Sequence, residues 1–248
     1  MERAQMIYGT RAVIEAITAG KEIEKVMIQS GLNNDLIKEL INTAKKHNVP
    51  VSFVPQEKLK RLSSKNHQGV ICLLSAVSYS SLDDVVHRAF SEGKDPFLII
   101  LDRVTDVRNF GAIARTAECA GVDAIVLGDK GNAPITNDAV KTSAGALHHL
   151  AICREKDLKK SMQLLRNSGV KLIACTEKTE RSIFEANLTG PVALIMGSEE
   201  DGISDVFLRE ADELVRIPMR GKIGSLNVSV AAGVALYEAL RQNTLVKS

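Results

Sequence analysis

The 248-residue sequence predicts an α/β protein in two parts, a small α/β domain ahead of a larger one built on a parallel sheet. Three observations carry that reading. Short apolar runs alternate with amphipathic stretches along the whole chain. The runs of the back half are almost continuously apolar, as strands covered on both faces must be. Between the halves, the polar cluster Ser78-Tyr79-Ser80-Ser81 and the breaker Gly93-Lys94-Asp95-Pro96 interrupt the pattern. They divide the chain into a first domain over residues 1–77, a linker over 78–95 and a second domain over 96–248.

Each element follows from local pattern. Lys25–Gln29 (KVMIQ) reads as a strand, and the amphipathic stretch Asp35–His47 reads as a helix. Val51–Val54 is the next strand, Gln56–Leu62 a short helix and Gly69–Val77 a strong strand. Leu82–Phe90 has helical spacing within the linker. In the back half, strands are expected at Phe97–Leu101, Ala124–Gly128, Lys171–Cys175, Val192–Gly197 and Glu213–Ile217. Helices are expected at Asn109–Ala120 and Leu158–Ser168, and Leu226–Arg241 closes the chain as a helix rich in Ala, Val and Leu. Ligands of such sheets bind beyond the carboxyl ends of the strands.

Composition narrows the function. Hydrophobic residues make up 45% and charged residues 25%, as in ordinary globular chains. No apolar run has the length of a membrane span, and MERAQMIYGT lacks the basic-then-apolar start of a secretion signal, so a cytoplasmic location is expected. Cys72, Cys119, Cys153 and Cys175 are widely spaced, form no C-x-x-C pair and read as buried, reduced thiols rather than a metal or disulfide set. A net charge of +2 neither demands nor excludes a nucleic-acid partner. With 4% aromatics and no Trp, phosphate contact and shape recognition suit the chain better than base stacking.

Three segments follow strands and carry unusual residues. The first, Asp102–Gly121, places Asn109 and Gly111 at the start of a helix, where free N–H groups attract anions, and Arg115 more than one turn further along. Alone, it reads better as a helix capped by Asn109 with Arg115 in solvent. The second, Val192–Ser204 (VALIMGSEEDGIS), brackets an acidic turn between Gly197 and Gly202, which could be a ligand loop or a plain surface turn. The third, Ile217–Val230 (IPMRGKIGSLNVSV), is a Gly-rich basic loop leading into the last helix. A good capping residue explains Ser225, but not the polar Asn227 and Ser229 within an apolar helix.

In order, these strings resemble the motifs of the SpoU (TrmH-like) RNA 2′-O-ribose methyltransferases, a branch of the SPOUT class. Asn109, Gly111 and Arg115 match the first motif. Gly197, Glu199 and Gly202 match the second, G-x-E-x-x-G. Ile217–Met219 and Ser225–Ser229 match the third, I-P-M followed by S-L-N-V-S. The front half, with MIYGTRAVIEAI and NHQGVICLLSAV, resembles the small RNA-binding domain of many family members. Within the family the chain is most similar to enzymes acting on guanosine of 23S ribosomal RNA, while related members act on transfer RNA or other ribosomal sites. Where many relatives carry Gly or a neutral residue, this chain has Glu200-Asp201.

The resemblance implies a catalytic domain with a deep trefoil knot, S-adenosylmethionine as methyl donor, no metal, and a homodimer. It implies a donor site at Gly197, Ile217, Met219 and Leu226, with much of the contact through backbone. It implies a catalytic set of Asn109, Arg115, Glu199, Ser225 and Asn227. Arg115 is called a general base in family accounts, but a guanidinium stays protonated, and holding a phosphate suits it better. Glu199 is left to accept the ribose proton or to orient Asn109 and Arg115; Ser225 and Asn227 are left to position the ribose or the loop. The basic run Lys58, Lys60, Arg61 and Lys65 is either an RNA contact or a solvated helix face.

Two other readings fit parts of the chain. A dehydrogenase is disfavoured because no G-x-G-x-x-G follows any expected strand and no P-loop is present. A non-catalytic RNA-binding protein would suit the front half alone, but it leaves the back-half motifs without a purpose.

Overall fold

In a computed structural model, which describes residues 5–246, the elements form two compact units. The first holds residues up to Ser78 together with Pro134–Asp138, and the second holds Tyr79–Ala133 and Ala139 onward.

The first unit runs β1 (Met6–Tyr8), α1 (Thr10–Thr18), β2 (Ile23–Gln29), α2 (Asp35–Lys46), β3 (Val51–Val54), α3 (Gln56–Leu62) and β4 (Val70–Leu74). Its sheet has the order β1-β4-β2-β3, with β2 and β3 parallel and β4 antiparallel to both β1 and β2. Strand β4 shows how period-two alternation fills two cores. Val70 and Cys72 pack with Val13, Ile17 and Leu40 of α1 and α2, while Ile71 and Leu73 pack with Val54 and Leu59 near α3. Helix α2 starts where the Asn34 side chain accepts the Ile37 N–H at 2.9 Å. Strand β1 and helix α1 were not distinguished in the sequence beyond their family likeness.

The second unit runs β5 (Tyr79–Ser80), α4 (Leu82–Ser91), β6 (Phe97–Leu101), α5 (Val107–Cys119), β7 (Ala124–Gly128), α6 (Asn137–Thr142, from Ala139 onward) and β8 (Ala151–Glu155). It continues with α7 (Leu158–Asn167), β9 (Lys171–Cys175), β10 (Val192–Met196), α8 (Asp205–Glu210), β11 (Glu213–Val215) and α9 (Val228–Val246). Seven strands form one sheet in the order β11-β9-β10-β6-β7-β8-β5, and every pairing is parallel. The expected doubly covered parallel sheet is therefore present. Leu98, Ile100, Ala193 and Ile195 lie on one covered face with Leu158, Met162 and Leu165 of α7.

Residues 78–95, read in the sequence as a linker, carry β5 and α4. Leu82, Val85 and Val86 of α4 are buried in the core of the second unit, and β5 extends its sheet beside β8. The polar cluster that suggested a hinge is thus a short edge strand followed by a helix cap, Ser81 accepting the Asp84 N–H at 3.3 Å. Strand β8 was not expected either, because Ala151–Glu155 ends in the charged pair Arg154-Glu155 and shows no distinctive period. Cys119, expected to be buried with the other cysteines, is exposed at the end of α5.

Candidate functional site

Strands β6 and β10 are neighbours, and their parallel pairing puts the ends of both, Leu101 and Met196, at one edge of the sheet. Here the strand order reverses: the chain after β6 moves outward to β7 and β8, whereas β10 and β9 lie on the other side. Such a switch point opens a crevice at the carboxyl edge. The first two motif segments leave β6 and β10 at this crevice, and the third leaves β11 at the same edge.

Helix α5 begins two residues earlier than expected because Asp106, not Asn109, caps it. Its carboxylate accepts the N–H groups of Arg108 and Asn109 at 2.7 and 2.9 Å. The Asn109 side chain is thereby released from capping, and its Oδ1 accepts from Asn227 Nδ2 at 3.1 Å. Gly111 serves packing rather than anion access: a Cβ there would lie 2.6 Å from Thr142 Cβ of α6. Arg115 is exposed, and among the described residues it makes no hydrogen bond or ion pair. Six residues along a helix is about 9 Å of rise and well off the Asn109 direction, so the single chain does not bring Arg115 to Asn109.

The second segment closes on itself. A Cβ at Gly197 would overlap the backbone of Gly202 and Ile203. Ser198 and Gly202 exchange N–H···O bonds of 3.1 Å, and Gly202 has a φ of 66° that favours glycine. Between these closed ends Glu199 is exposed, and its Oε1 accepts from Asn227 Nδ2.

In the third segment α9 starts at Val228, two residues later than expected, and Asn227 rather than Ser225 makes the capping contacts. Asn227 Oδ1 accepts the Ser229 N–H at 3.0 Å and the Ser229 hydroxyl at 2.6 Å. Asn227 therefore joins all three motif segments. Ser225 stands exposed outside the cluster. A cavity of about 260 Å³ adjoins it, lined by Thr105, Asp106, Asn109, Glu199, Asp201 and Val228 among others.

Of the expected donor residues, Gly197 is buried at the base of the second loop and Ile217 is half-buried after β11. Met219 is 37% and Leu226 38% exposed, and Ile223 between them is 76% exposed. Among the described residues, 217–226 make no backbone–backbone hydrogen bond. Apolar side chains and open amide groups on one loop suit a ligand with both an aromatic base and polar edges. No group of three or more His, Cys, Asp or Glu among the described residues is placed to hold a metal ion.

Two residues at the site were not singled out in the sequence. Asp102 is only 4% exposed at the end of β6, and Arg103 beside it reaches the second loop. Their signal was present, since a charged pair directly after a buried strand, facing an acidic turn elsewhere, invites an ion pair.

Residues 96–237 match the SpoU rRNA Methylase family, and residues 6–80 match the RNA 2′-O ribose methyltransferase substrate-binding domain. A putative TrmH family tRNA/rRNA methyltransferase of Bacillus subtilis is 32% identical over 97% of this chain and 96% of its own length. An uncharacterized tRNA/rRNA methyltransferase of Synechocystis is 35% identical, and the chain spans 63% of that protein's length. Among solved structures, an AdoMet-bound rRNA methyltransferase from Sinorhizobium meliloti is 27% identical with a TM-score of 0.61, over 96% of this chain and 87% of that one. An RNA 2′-O ribose methyltransferase structure is 28% identical with a TM-score of 0.56, over 97% and 89% of the two chains.

Proposed function

Because the chain belongs to the SpoU rRNA methylase family, we propose that it methylates the ribose 2′-hydroxyl of a guanosine in 23S ribosomal RNA, acting as a cytoplasmic homodimer. It is an RNA 2′-O-ribose methyltransferase that uses S-adenosylmethionine, with the SPOUT-type parallel sheet behind a substrate-binding domain. The observation that carries the reading of the site is the Asn227 amide, which ties Asn109 and Glu199 together at the mouth of the cavity.

S-adenosylmethionine, when bound, supplies a methyl group on a positively charged sulfur. Gly197, Ile217, Met219 and Leu226 would hold it, much of the contact through backbone groups. Glu199 accepts the ribose proton: Oε1 is occupied by Asn227, which leaves Oε2 for the 2′-hydroxyl. With the donor bound, its methyl would pass to the ribose oxygen, leaving a neutral thioether, and Glu199 would hold the ribose proton. Asn109 has its Oδ1 turned to Asn227, which leaves its Nδ2 to orient the ribose, and Ser225, on the loop before α9, positions the ribose or that loop. Arg115, exposed and unpaired, clamps a backbone phosphate with its two-pronged guanidinium. Positioning supplies most of the acceleration, because the donor is already reactive.

The homodimer reading draws on α9, where Val230 and Tyr237, seven residues apart on one face, are 51% and 49% exposed. The knot implied by the family is supported by the path of the chain: after edge strand β11 it returns past β9 to place α9 against α5 and β10. Among the described residues no helix is long and apolar enough to cross a membrane.

Single-turnover transfer to unmethylated 23S ribosomal RNA and to a transfer-RNA pool tests the substrate. Methylation of the ribosomal RNA, with Arg115→Ala slower on the order of a hundredfold at unchanged donor affinity, is the expected outcome. Transfer to transfer RNA alone refutes the target. Loss of donor binding in Arg115→Ala moves that side chain into the donor pocket.

A further inference from the structure

Arg103 leaves β6 with a φ of 59°, a left-handed conformation that a residue with a side chain adopts only when its surroundings impose it. Its side chain is correspondingly engaged. Nε and Nη2 donate to the two carboxylate oxygens of Asp102 at 3.0 and 3.3 Å. Nη1 donates to Asp201 Oδ2 at 2.9 Å, and Nη2 also reaches the Gly202 carbonyl at 3.2 Å. Asp102 is itself fixed, for its Oδ2 accepts the Ser204 N–H at 2.7 Å. The guanidinium is therefore pinned from behind by a buried carboxylate and grips the far end of the turn that carries Glu199.

That turn needs an external support. Glu199, Glu200 and Asp201 place three consecutive carboxylates on an exposed loop, closed internally by the Ser198–Gly202 ladder and the bond from Asp201 N–H to Ser198 Oγ at 3.0 Å. Repulsion among like charges favours opening, which would carry Glu199 away from Asn227. An arginine that neutralises Asp201 and binds Gly202 opposes that motion, and its planar fork engages several acceptors together where a lysine would act as a point charge.

We propose that Arg103, anchored by Asp102, is a positioning residue that sets the Glu199 carboxylate through Asp201 and Gly202. The inference rests on the role proposed for Glu199. Asp201 is then the acceptor half of a brace whose donor half lies 98 residues earlier in the chain.

The test is single-turnover methyl transfer by the full-length protein, at saturating donor and saturating RNA of the pool the wild type methylates. Arg103→Gln and Asp201→Asn are each expected to slow transfer on the order of tenfold, and the double variant to be no slower than Arg103→Gln alone. Arg103→Lys should fall between wild type and Arg103→Gln. Donor and RNA dissociation constants should stay within about twofold, because the turn is displaced rather than unfolded. In a Glu199→Gln background, Arg103→Gln should slow the reaction no further. Wild-type rates in Arg103→Gln beside a slow Glu199→Gln would overturn the brace alone. Losses that multiply in the double variant would also overturn it, as would losses accompanied by weaker binding of both ligands. A fully active Glu199→Gln would remove the proton-acceptor role, and the route proposed for Arg103 with it.

Discussion

Asn227 uses every hydrogen-bonding position of its amide. Its two N–H donors go to Asn109 and Glu199, and its oxygen takes both the backbone and the hydroxyl of Ser229. This saturation fixes which way the amide faces, since a flipped ring of contacts would set oxygen against oxygen. Asn227→Asp keeps the shape but replaces both donors with a charged acceptor aimed at Glu199. The expected result is a loss of methyl transfer on the order of a hundredfold, with S-adenosylmethionine affinity little changed. Single-turnover kinetics beside calorimetric donor titration would show it, and near-wild-type transfer would mean that the cluster is structural only.

At the scale of elements, the strands set the chemistry of the cysteines. Cys72 lies in β4, Cys153 in β8 and Cys175 at the end of β9. Burial pushes all three thiols up to about 12, whereas Cys119 at the end of α5 is exposed. Thiolate is the reactive form, so at pH 8 the folded protein should consume about one equivalent of a thiol reagent and the denatured chain all four. Rapid reaction of two or more thiols in the native protein would contradict the packing of these strands. The same shifts bear on stability. Because the folded values lie above those of an unfolded cysteine, the unfolded chain loses these protons first. Their contribution is intact below about pH 8.5 and is lost progressively as pH rises towards the folded values.

For the whole molecule, the decisive property is that every residue of the motif cluster belongs to the second unit, while the substrate-binding match covers the first. A protein beginning at Tyr79 retains β5 and α4 and hence the core to which Leu82, Val85 and Val86 belong. One beginning at Pro96 would not. The Tyr79 form should bind S-adenosylmethionine nearly as well as the full chain, methylate RNA at least tenfold more slowly at subsaturating RNA, and scatter light as twice its monomer mass. A tenfold loss of donor affinity would refute the division of labour, and a clean monomer at micromolar concentration would refute the dimer.

The sequence by itself determined strands β6, β7, β9, β10 and β11 and the three loops that follow β6, β10 and β11, and its resemblance to a family pointed to Asn109, Glu199 and Asn227, which meet there. Long apolar runs and glycine-bounded turns are local signals, and local signals survive in one dimension. Tertiary structure decided the rest. Strands β5 and β8 exist as strands because β7 and one another complete their hydrogen bonds, which no property of Tyr79-Ser80 or Ala151–Glu155 announces. Gly111 is small because Thr142 packs on it, and Asn109 is free because Asp106 takes the cap. Asp102 and Arg103 acquire a purpose only when Asp201 and Ser204 arrive on the loop after the neighbouring strand β10. A side chain's chemistry is written in its type, but its partner is set by which distant segment the fold brings within three ångströms, and that information lies in the packing of the whole chain.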